Sequence, residues 1–178
     1  ITNINSLEND AINIEWTQEE TYAYFFKIVF SSGDDEWFWT QMLLYKDFDP
    51  NFIKQNRPKY RNYEQLPLEK HALRPLVVTF FGLYPDPHGD NRMGESYDWF
   101  FNNLKNADNT ISLRPFIDLL KGDKGAISVE RERYAKSREI PNKPILFPYA
   151  YTNQEVRQQA VDRHFDDLLR NEKGNQPM

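Results

Sequence analysis

Cysteine is missing from the sequence, which excludes disulfide bonds and metal sites built from thiolates. Histidine is scarce as well. The three histidines lie far apart in the sequence, and no two of them have the spacing of a metal-ligand pair. Glycine is scarce as well, and neither G-x-x-x-x-G-K-[ST] nor G-x-G-x-x-G occurs. The motifs G-x-S-x-G and H-E-x-x-H are also absent. The chain therefore carries no complete active site of the kinds that these motifs mark.

Long apolar runs are lacking too. No run approaches the roughly 18 residues that indicate a membrane-spanning helix, and residues 1–30 lack the pattern of a signal peptide. The net charge of −5 opposes a strong general affinity for nucleic acid, which needs a positive field. We therefore expect a cytoplasmic protein that has no membrane association and no general affinity for nucleic acid.

Aromatic residues are abundant, at 15% of the chain, and charged residues make up 28%. A chain of this length buries roughly 70% of the surface that its unfolded form exposes. The composition therefore predicts a compact aromatic core inside a very polar shell.

The first regular element is predicted near the N-terminus. Residues 11–16 alternate between apolar and polar, which predicts a half-buried strand. Thr17 and Glu20 have the spacing of a capping box, and a helix with an aromatic face is predicted over 18–31. The strand has no evident partner in this sequence, so we expect the partner to lie in another part of the protein.

Further helices are indicated by apolar spacing and capping residues. The segment 68–83 suits a helix better, although 76–81 also reads as a strand. Residues 140–150 carry three prolines and predict an extended connector, after which Thr152 and Glu155 form a second capping box. The fold class is therefore mainly α: an irregular helical bundle with one short N-terminal strand and long polar loops. The remaining helices are predicted over 35–46, 50–56, 96–104, 112–121, 126–138 and 152–172.

A loop over 84–94 contains a possible metal site. Asp86, His88 and Asp90 lie close together in sequence, and carboxylates with an imidazole can bind a divalent cation. Their spacing matches no EF-hand. Loops also collect Asp, Pro and Gly for turn formation alone, and this interpretation is favoured, so we predict no metal in the chain.

The most basic stretch contains Lys54, Arg57, Lys59 and Arg61, with tyrosines between them. Basic residues interleaved with aromatic ones can hold single-stranded nucleic acid by phosphate pairing and base stacking. A solvated polar loop has the same composition, and the negative net charge favours that alternative.

Arg114 stands out within the predicted helix 112–121. It falls in the first turn, where the positive end of the helix dipole is mildly unfavourable for a cation. A broken local rule beside a well-patterned helix often marks a functional position. The alternative is an arginine that points to solvent or pairs with Asp118, four residues further on.

Several segments resemble a known family. Residues 12–20, Ile-Asn-Ile-Glu-Trp-Thr-Gln-Glu-Glu, resemble the strand-to-helix entry that follows the P-loop core in bacterial AAA+/STAND-type ATPases of the origin-recognition-like group. Residues 96–104, Ser-Tyr-Asp-Trp-Phe-Phe-Asn-Asn-Leu, and 109–120, Asn-Thr-Ile-Ser-Leu-Arg-Pro-Phe-Ile-Asp-Leu-Leu, are similar to that group's later pattern, in which a Tyr/Trp helix leads into a Ser/Thr-x-Arg helix of the lid domain. The family commonly has Pro-Arg-Asp where this chain has Leu-Arg-Pro at 113–115.

The resemblance covers residues 10–121 and implies a helical lid that closes on a nucleotide. Arg114 matches the family's sensor-2 arginine, which reaches the nucleotide phosphates from the lid. The Walker segments would then precede residue 1, so this chain alone would bind no cofactor, and ATP with Mg²⁺ would belong to the intact protein. The implied partners are the P-loop core or other domains of the same polypeptide.

The predicted organisation follows from this resemblance. Because the chain begins with Ile1 and residues 1–10 read as a polar connector, we expect a piece of a longer protein, with a complete small protein freed of a tag as the alternative. The other segments are a helical lid-like domain over 11–139, a Pro-rich connector over 140–151, and an amphipathic helix with its tail over 152–178.

Two functions stay open at this point. The first is a non-catalytic lid or regulatory region of a larger P-loop ATPase, which couples nucleotide state to a partner or a downstream domain. The second is a protein-interaction module of a bacterial or phage signalling or defence protein, without a link to nucleotides. A third option is an enzyme with an unfamiliar site around residues 86–90.

Overall fold

Helices make up nearly all the regular structure of the protein in the computed structural model, which confirms the mainly α prediction. The structure describes residues 16–31, 35–43, 51, 68–86, 90–105, 111, 113–121, 144–146 and 148–174. Within these ranges there are seven α-helices and a short 3-10 helix over Asn91–Met93. The α-helices are α1 Gln18–Ser31, α2 Glu36–Leu43, α3 Lys70–Phe81, α4 Ser96–Leu104, α5 Leu113–Lys121, α6 Pro148–Thr152 and α7 Gln154–Gly174.

Helix α1 begins with the predicted capping box. The backbone N–H of Thr17 donates to Glu20 Oε2 at 2.8 Å, and the backbone N–H of Glu20 donates to Thr17 Oγ1 at 3.2 Å. Each bond satisfies a backbone donor that the helix itself cannot pair. The helix predicted over 18–31 is confirmed at both ends.

The predicted N-terminal strand is described only at its last residue, because residues 11–15 lie outside the described ranges. Trp16 forms an isolated antiparallel bridge with Ile111, whose N–H donates to the Trp16 carbonyl at 3.3 Å. Ile111 also bridges Lys105. The expectation that this segment has no partner in the chain is therefore wrong at Trp16, because a residue distant in sequence supplies the missing donor.

Helix α2 is preceded by Asp35, the first residue of the helix predicted over 35–46. The carbonyl of Asp35 accepts hydrogen bonds from the N–H groups of Phe38 and Trp39, and its buried carboxylate accepts the indole N–H of Trp39 at 2.6 Å. The predicted continuation to residue 46 lies outside the described part of the chain, as do most of the predicted helix 50–56 and all of 126–138.

Helix α3 settles the ambiguity over 68–83 in favour of a helix. Pro75 lies inside it and removes one backbone hydrogen bond, to the carbonyl of His71, but His71 is exposed and water can replace the missing donor. At the C-terminal end of α3, the last backbone carbonyls accept hydrogen bonds from residues that are distant in sequence. The N–H of Ile145 donates to Thr79, the N–H of Leu146 donates to Phe80, and the hydroxyl of Tyr151 donates to Phe81.

The predicted extended connector over 140–150 is wrong at its end, where Pro148 opens the short helix α6. Proline is well suited to a first helical position, since its missing N–H would have no partner there. The predicted cap at Thr152 is also wrong, because Thr152 belongs to α6. Asn153 takes that role, and its Oδ1 accepts the N–H of Glu155 at 2.9 Å.

The core is built from aromatic rings, as the composition predicts. Helix α3 packs against α1, α2 and α4, and helix α5 packs against α4, α6 and α7. No helix in the described ranges is both long and apolar enough to cross a membrane. The largest fully buried side chains are Trp39, Tyr22, Tyr97, Tyr151, Phe26, Phe30, Phe38, Phe81, Phe100, Phe116 and Met42.

Candidate functional site

Arg114 lies in the first turn of α5 with its side chain directed outwards. The surface of this side chain is 61% exposed. The opposite side of α5 is fixed in the core, since Pro115, Phe116 and Leu119 are buried. The Phe116 ring lies 5.6 Å from that of Phe25 and 5.5 Å from that of Phe100, measured between centroids. The arginine is therefore an exposed side chain on a firmly held backbone.

Pro115 does not disturb this arrangement, although it is inside the helix. It is the third residue of α5, and the first four N–H groups of an α-helix have no partner within the helix. A proline there loses no hydrogen bond. The departure from the Pro-Arg-Asp pattern of the resembled family is thus compatible with a regular helix that begins before Arg114.

Asp118 is the ion-pair partner that the i,i+4 spacing predicts. Its Oδ2 lies 3.6 Å from Arg114 Nε, and its side chain is 9% exposed. This separation exceeds the 2.7–3.2 Å that is typical of a hydrogen bond. The carboxylate and the guanidinium therefore attract each other without the two parallel hydrogen bonds of a bidentate pair.

The start of α5 lies close to the point where the chain enters the described fold. Ile111, three residues before Arg114, bridges Trp16. Bridge partners have Cα atoms about 5 Å apart and three residues span at most about 11 Å, so the Cα atoms of Trp16 and Arg114 are within about 16 Å of each other. Trp16, the first described residue, therefore lies within about 16 Å of the Arg114 backbone.

A second polar region lies where α1, α3 and α4 meet, and we call it the polar seam. The carbonyl of Tyr97 accepts hydrogen bonds from the Tyr22 hydroxyl and from the Gln18 amide, and the Tyr97 hydroxyl donates to Glu19 at 3.1 Å. The seam consists of Gln18, Glu19, Tyr22, Lys70, Arg74, Glu95, Tyr97 and Asp98.

Ion pairs close the exposed side of the seam. Arg74 makes two hydrogen bonds of 2.8 Å to the two carboxylate oxygens of Glu95. Lys70 lies 3.1 Å from Asp98 Oδ1 and 4.8 Å from the centroid of the Tyr97 ring. No spacing rule joins these residues, because the donor and acceptor of each bond are 21 to 79 residues apart. The sequence analysis missed the seam for that reason.

The pKa shifts of Tyr22, Tyr97 and Glu95 in the seam favour the ordinary charge state of each group at neutral pH. Burial raises the pKa of the Tyr22 hydroxyl, and it also raises that of Tyr97, next to which the Glu19 carboxylate acts in the same direction. The hydrogen bonds from Arg74 lower the pKa of Glu95. Neutral phenols and paired charges are typical of a structural contact, and the seam therefore serves to join helices.

The loop residues of the metal hypothesis take part in hydrogen bonds of their own. Asp86 Oδ1 accepts the N–H of Asp90 at 3.2 Å, and Asp90 accepts the backbone N–H and the Nε–H of Arg92 at 2.8 and 2.6 Å. The first of the Arg92 bonds is the main cause of the lowered pKa of Asp90. His88 lies outside the described ranges, and within them no three His, Asp or Glu residues are placed to hold a metal ion.

The basic stretch with Lys54, Arg57, Lys59 and Arg61 also lies outside the described ranges. The idea that it contacts nucleic acid stays a prediction from sequence.

Exposed apolar side chains form a further surface feature on α1 and α2. Ile28 of α1 is 47% exposed and Trp37 of α2 is 43% exposed. The Trp37 ring is 6.5 Å from that of Phe80, which is 5.0 Å from that of Phe25. Phe25 and Ile28 are neighbours on one side of α1. These four residues are the apolar patch referred to below.

Among the described residues, the exposed cation on α5 and the apolar patch are suited to binding, whereas the polar seam is suited to holding helices together. Arg114 carries a planar group of the kind that recognises phosphates and carboxylates. The patch presents aromatic surface of the kind found in protein interfaces. Comparison with protein-family models, with curated proteins and with solved structures gives no match for this chain.

Proposed function

We propose that this chain is a non-catalytic helical lid or regulatory region of a larger P-loop ATPase. In this proposal Arg114 contacts the phosphates of a nucleotide that the ATPase core holds together with Mg²⁺. The contact couples the nucleotide state to the position of the helices and thereby to a partner or a downstream domain. The observation that carries the proposal is the exposed guanidinium in the first turn of α5, on a helix anchored in the core.

The chemistry of the side chain supports this role. A guanidinium has five N–H donors in a planar fork, which matches two oxygens of a phosphate at once. The positive end of α5 adds a favourable potential for an anion at the same place. The buried Phe116 and Leu119 fix the backbone that carries the arginine, so that a contact made by the guanidinium is transmitted to the whole helix.

The path of the chain supports the role as well. A core that precedes residue 1 in the same polypeptide would be linked through residues 1–15 to Trp16, whose Cα lies within about 16 Å of that of Arg114. An arginine side chain adds several ångströms of reach. Such a core could therefore present its nucleotide to Arg114 without unfolding any described helix.

The direct test is the Arg114→Ala variant of the intact ATPase. We expect ATP turnover to fall at least tenfold, which corresponds to about 1.4 kcal/mol of lost transition-state stabilisation. Arg163→Ala is the matched control, since Arg163 is an exposed arginine on α7, and its turnover should stay unchanged. Unchanged turnover in Arg114→Ala would contradict the proposed contact.

The second candidate function is a protein-interaction module without a nucleotide link, and the apolar patch favours it. Aromatic residues exposed at a surface often act as anchors in an interface. Trp37→Ala should then lower the affinity for a co-purified partner protein by at least tenfold, or about 1.4 kcal/mol. If that loss occurs while Arg114→Ala changes neither binding nor turnover, the interaction module is the better description.

A further inference from the structure

A later part of the chain completes the C-terminal end of α3. The last four carbonyls of an α-helix have no partner within the helix, and in α3 these belong to residues 78–81. The N–H of Gly82 donates to the first of them. The second and third accept the N–H groups of Ile145 and Leu146 at 3.3 and 2.7 Å, and the fourth accepts the Tyr151 hydroxyl at 2.8 Å. Three of the four carbonyls are therefore paired by residues that follow α3 at a long distance in sequence.

The segment that supplies these three donors is called the strap below. It consists of Pro144, Ile145, Leu146 and the helix α6. Its first part lies at the surface, since Ile145 and Leu146 are half-buried. In α6, by contrast, Tyr151 is fully buried, and its ring lies 5.6 Å from that of Phe81 and 4.9 Å from that of Phe100. The strap is thus attached by three hydrogen bonds and by one buried ring.

Helix α3 has other attachments that do not involve the strap. It packs against α1, α2 and α4, and Leu73 and Leu76 are fully buried. Arg74 also joins it to Glu95 at the start of α4. Water commonly satisfies the last carbonyls of a helix, so the carbonyls at the end of α3 can be hydrated when the strap leaves. Loss of the strap therefore does not require α3 to unfold.

We propose that the strap opens from the end of α3 as one unit while α1 to α4 stay folded. Such local openings are expected where half-buried side chains and hydrogen bonds near the surface hold a segment in place. Opening takes Tyr151 away from Phe81, whose ring is 4.8 Å from that of Phe80 and 5.7 Å from that of Phe25. Because Phe25 and Phe80 belong to the apolar patch, the open form presents a larger aromatic surface. The closed strap covers the added part of that surface.

Two buried tyrosines provide a matched pair of variants. Tyr151→Phe removes the hydroxyl that binds the end of α3 and keeps the ring. Tyr22→Phe makes the same change in the polar seam, where the fully buried Tyr22 donates to the carbonyl of Tyr97. Losing one such hydrogen bond should shift the corresponding opening equilibrium by about three- to tenfold. The seam bond is retained when the strap opens and is lost when the whole protein unfolds, so the two variants act on different steps.

The experiment is amide hydrogen exchange of the full 178-residue chain by NMR, under conditions in which exchange reports the opening equilibrium. In wild type, the N–H groups of Ile145 and Leu146 should be at least about tenfold less protected than the most protected amides of α1 and α3. Tyr151→Phe should lower the protection of both sets by about three- to tenfold, because its bond is lost in either opening. Tyr22→Phe should lower the protection of the α1 and α3 amides by a similar factor and leave Ile145 and Leu146 unchanged.

Two results would overturn the proposal. If Tyr22→Phe lowers the protection of Ile145 and Leu146 as much as that of the α1 and α3 amides, the strap opens only when the whole protein unfolds. If Tyr151→Phe leaves Ile145 and Leu146 unchanged, residues 144–146 open without α6 and the strap is not one unit. The expected pattern, in which Ile145 and Leu146 respond to Tyr151→Phe alone, supports it.

Thiol labelling tests the same opening without either tyrosine variant, in case one of them does not fold. The sequence contains no cysteine, so a single introduced thiol reports on one place. Ala150 of α6 and Ala23 of α1 are both buried, at 3% and 5% exposure. The thiol of Ala150→Cys should react with a thiol reagent at least about tenfold faster than that of Ala23→Cys in the folded protein. Equal rates at the two positions would contradict a separate opening of the strap.

Discussion

Two arginine–carboxylate pairs in this chain have nearly opposite geometry. Arg74 joins α3 to Glu95 at the start of α4 through two hydrogen bonds of 2.8 Å, and both side chains are about one-third exposed. Arg114 Nε lies 3.6 Å from Asp118 Oδ2 on the same helix, and the arginine side chain is mostly exposed. Both pairs join an arginine to a carboxylate, but the first connects two helices through short hydrogen bonds and the second lies within one helix at a longer distance.

The surroundings of the two ion pairs also differ. Arg74 belongs to the polar seam, where Tyr22 and Tyr97 connect the helices by further hydrogen bonds. Arg114 lies on the exposed side of a helix whose inner face is anchored by Phe116 and its aromatic neighbours. We therefore expect substitutions in the seam and the core to change folding stability, and substitution of Arg114 to change binding.

The largest expected effect comes from Phe116→Ala, because Phe116 is fully buried and contacts rings of both α1 and α4. Removing this ring should lower the free energy of unfolding by about 3–5 kcal/mol, measured by urea denaturation. Phe116→Leu is the control and should cost clearly less. A loss below about 1 kcal/mol for the alanine variant would show that α5 is not held through this ring.

Glu95→Gln should have a smaller effect that depends on pH. The Arg74–Glu95 pair is partly solvated, so the expected loss in the free energy of unfolding near pH 7 is about 0.5–1 kcal/mol. The pKa of Glu95 is lowered in the folded protein, so this contribution is present above the carboxyl's ordinary pKa and is lost as the pH falls through the lowered value.

The difference between wild type and Glu95→Gln should accordingly shrink towards zero as urea denaturation is repeated at pH values below the ordinary pKa of 4.5. A double-mutant cycle with Arg74→Gln isolates the pair. A difference that stays constant down to pH 3 would contradict this assignment.

The smallest effect on stability is expected for Arg114→Ala. Its side chain is mostly exposed and lies 3.6 Å from Asp118, so the free energy of unfolding should change by no more than about 0.5 kcal/mol. Thermal unfolding curves of Arg114→Ala and of wild type, recorded under the same conditions, check this. A loss above about 1.5 kcal/mol would place Arg114 with Arg74 as a structural residue and would remove the contrast between the two pairs.

Local signals in the sequence predicted much of the helical structure. The Thr17–Glu20 spacing located the start of α1, and the spacing of apolar residues located α5. Both depend on contacts between residues three or four positions apart, which sequence spacing encodes directly. The Arg114–Asp118 pair was foreseeable for the same reason.

The contacts that sequence reasoning missed connect distant positions. Nothing near Trp16 indicates that Ile111 will bridge it, and nothing near Arg74 indicates Glu95. The cap at Asn153 was missed by one residue because Thr152 also has a side chain that can cap a helix and has the capping-box spacing to Glu155. Only tertiary packing decides between such alternatives.

The closure of α3 by the segment 145–151 has a consequence for how the protein is made. The carbonyl of Phe81 cannot accept its hydrogen bond from the Tyr151 hydroxyl until Tyr151 is synthesised, 70 residues later. The carbonyls of Thr79 and Phe80 likewise accept hydrogen bonds from the N–H groups of Ile145 and Leu146 only after those residues are made. A growing chain on the ribosome can form α1 and α3 early, but the end of α3 stays open until this late segment emerges. The final fold therefore cannot be complete until this segment has left the ribosome, and a ribosome that stalls in the proline-rich stretch before residue 145 would hold a chain in which the end of α3 lacks these hydrogen bonds.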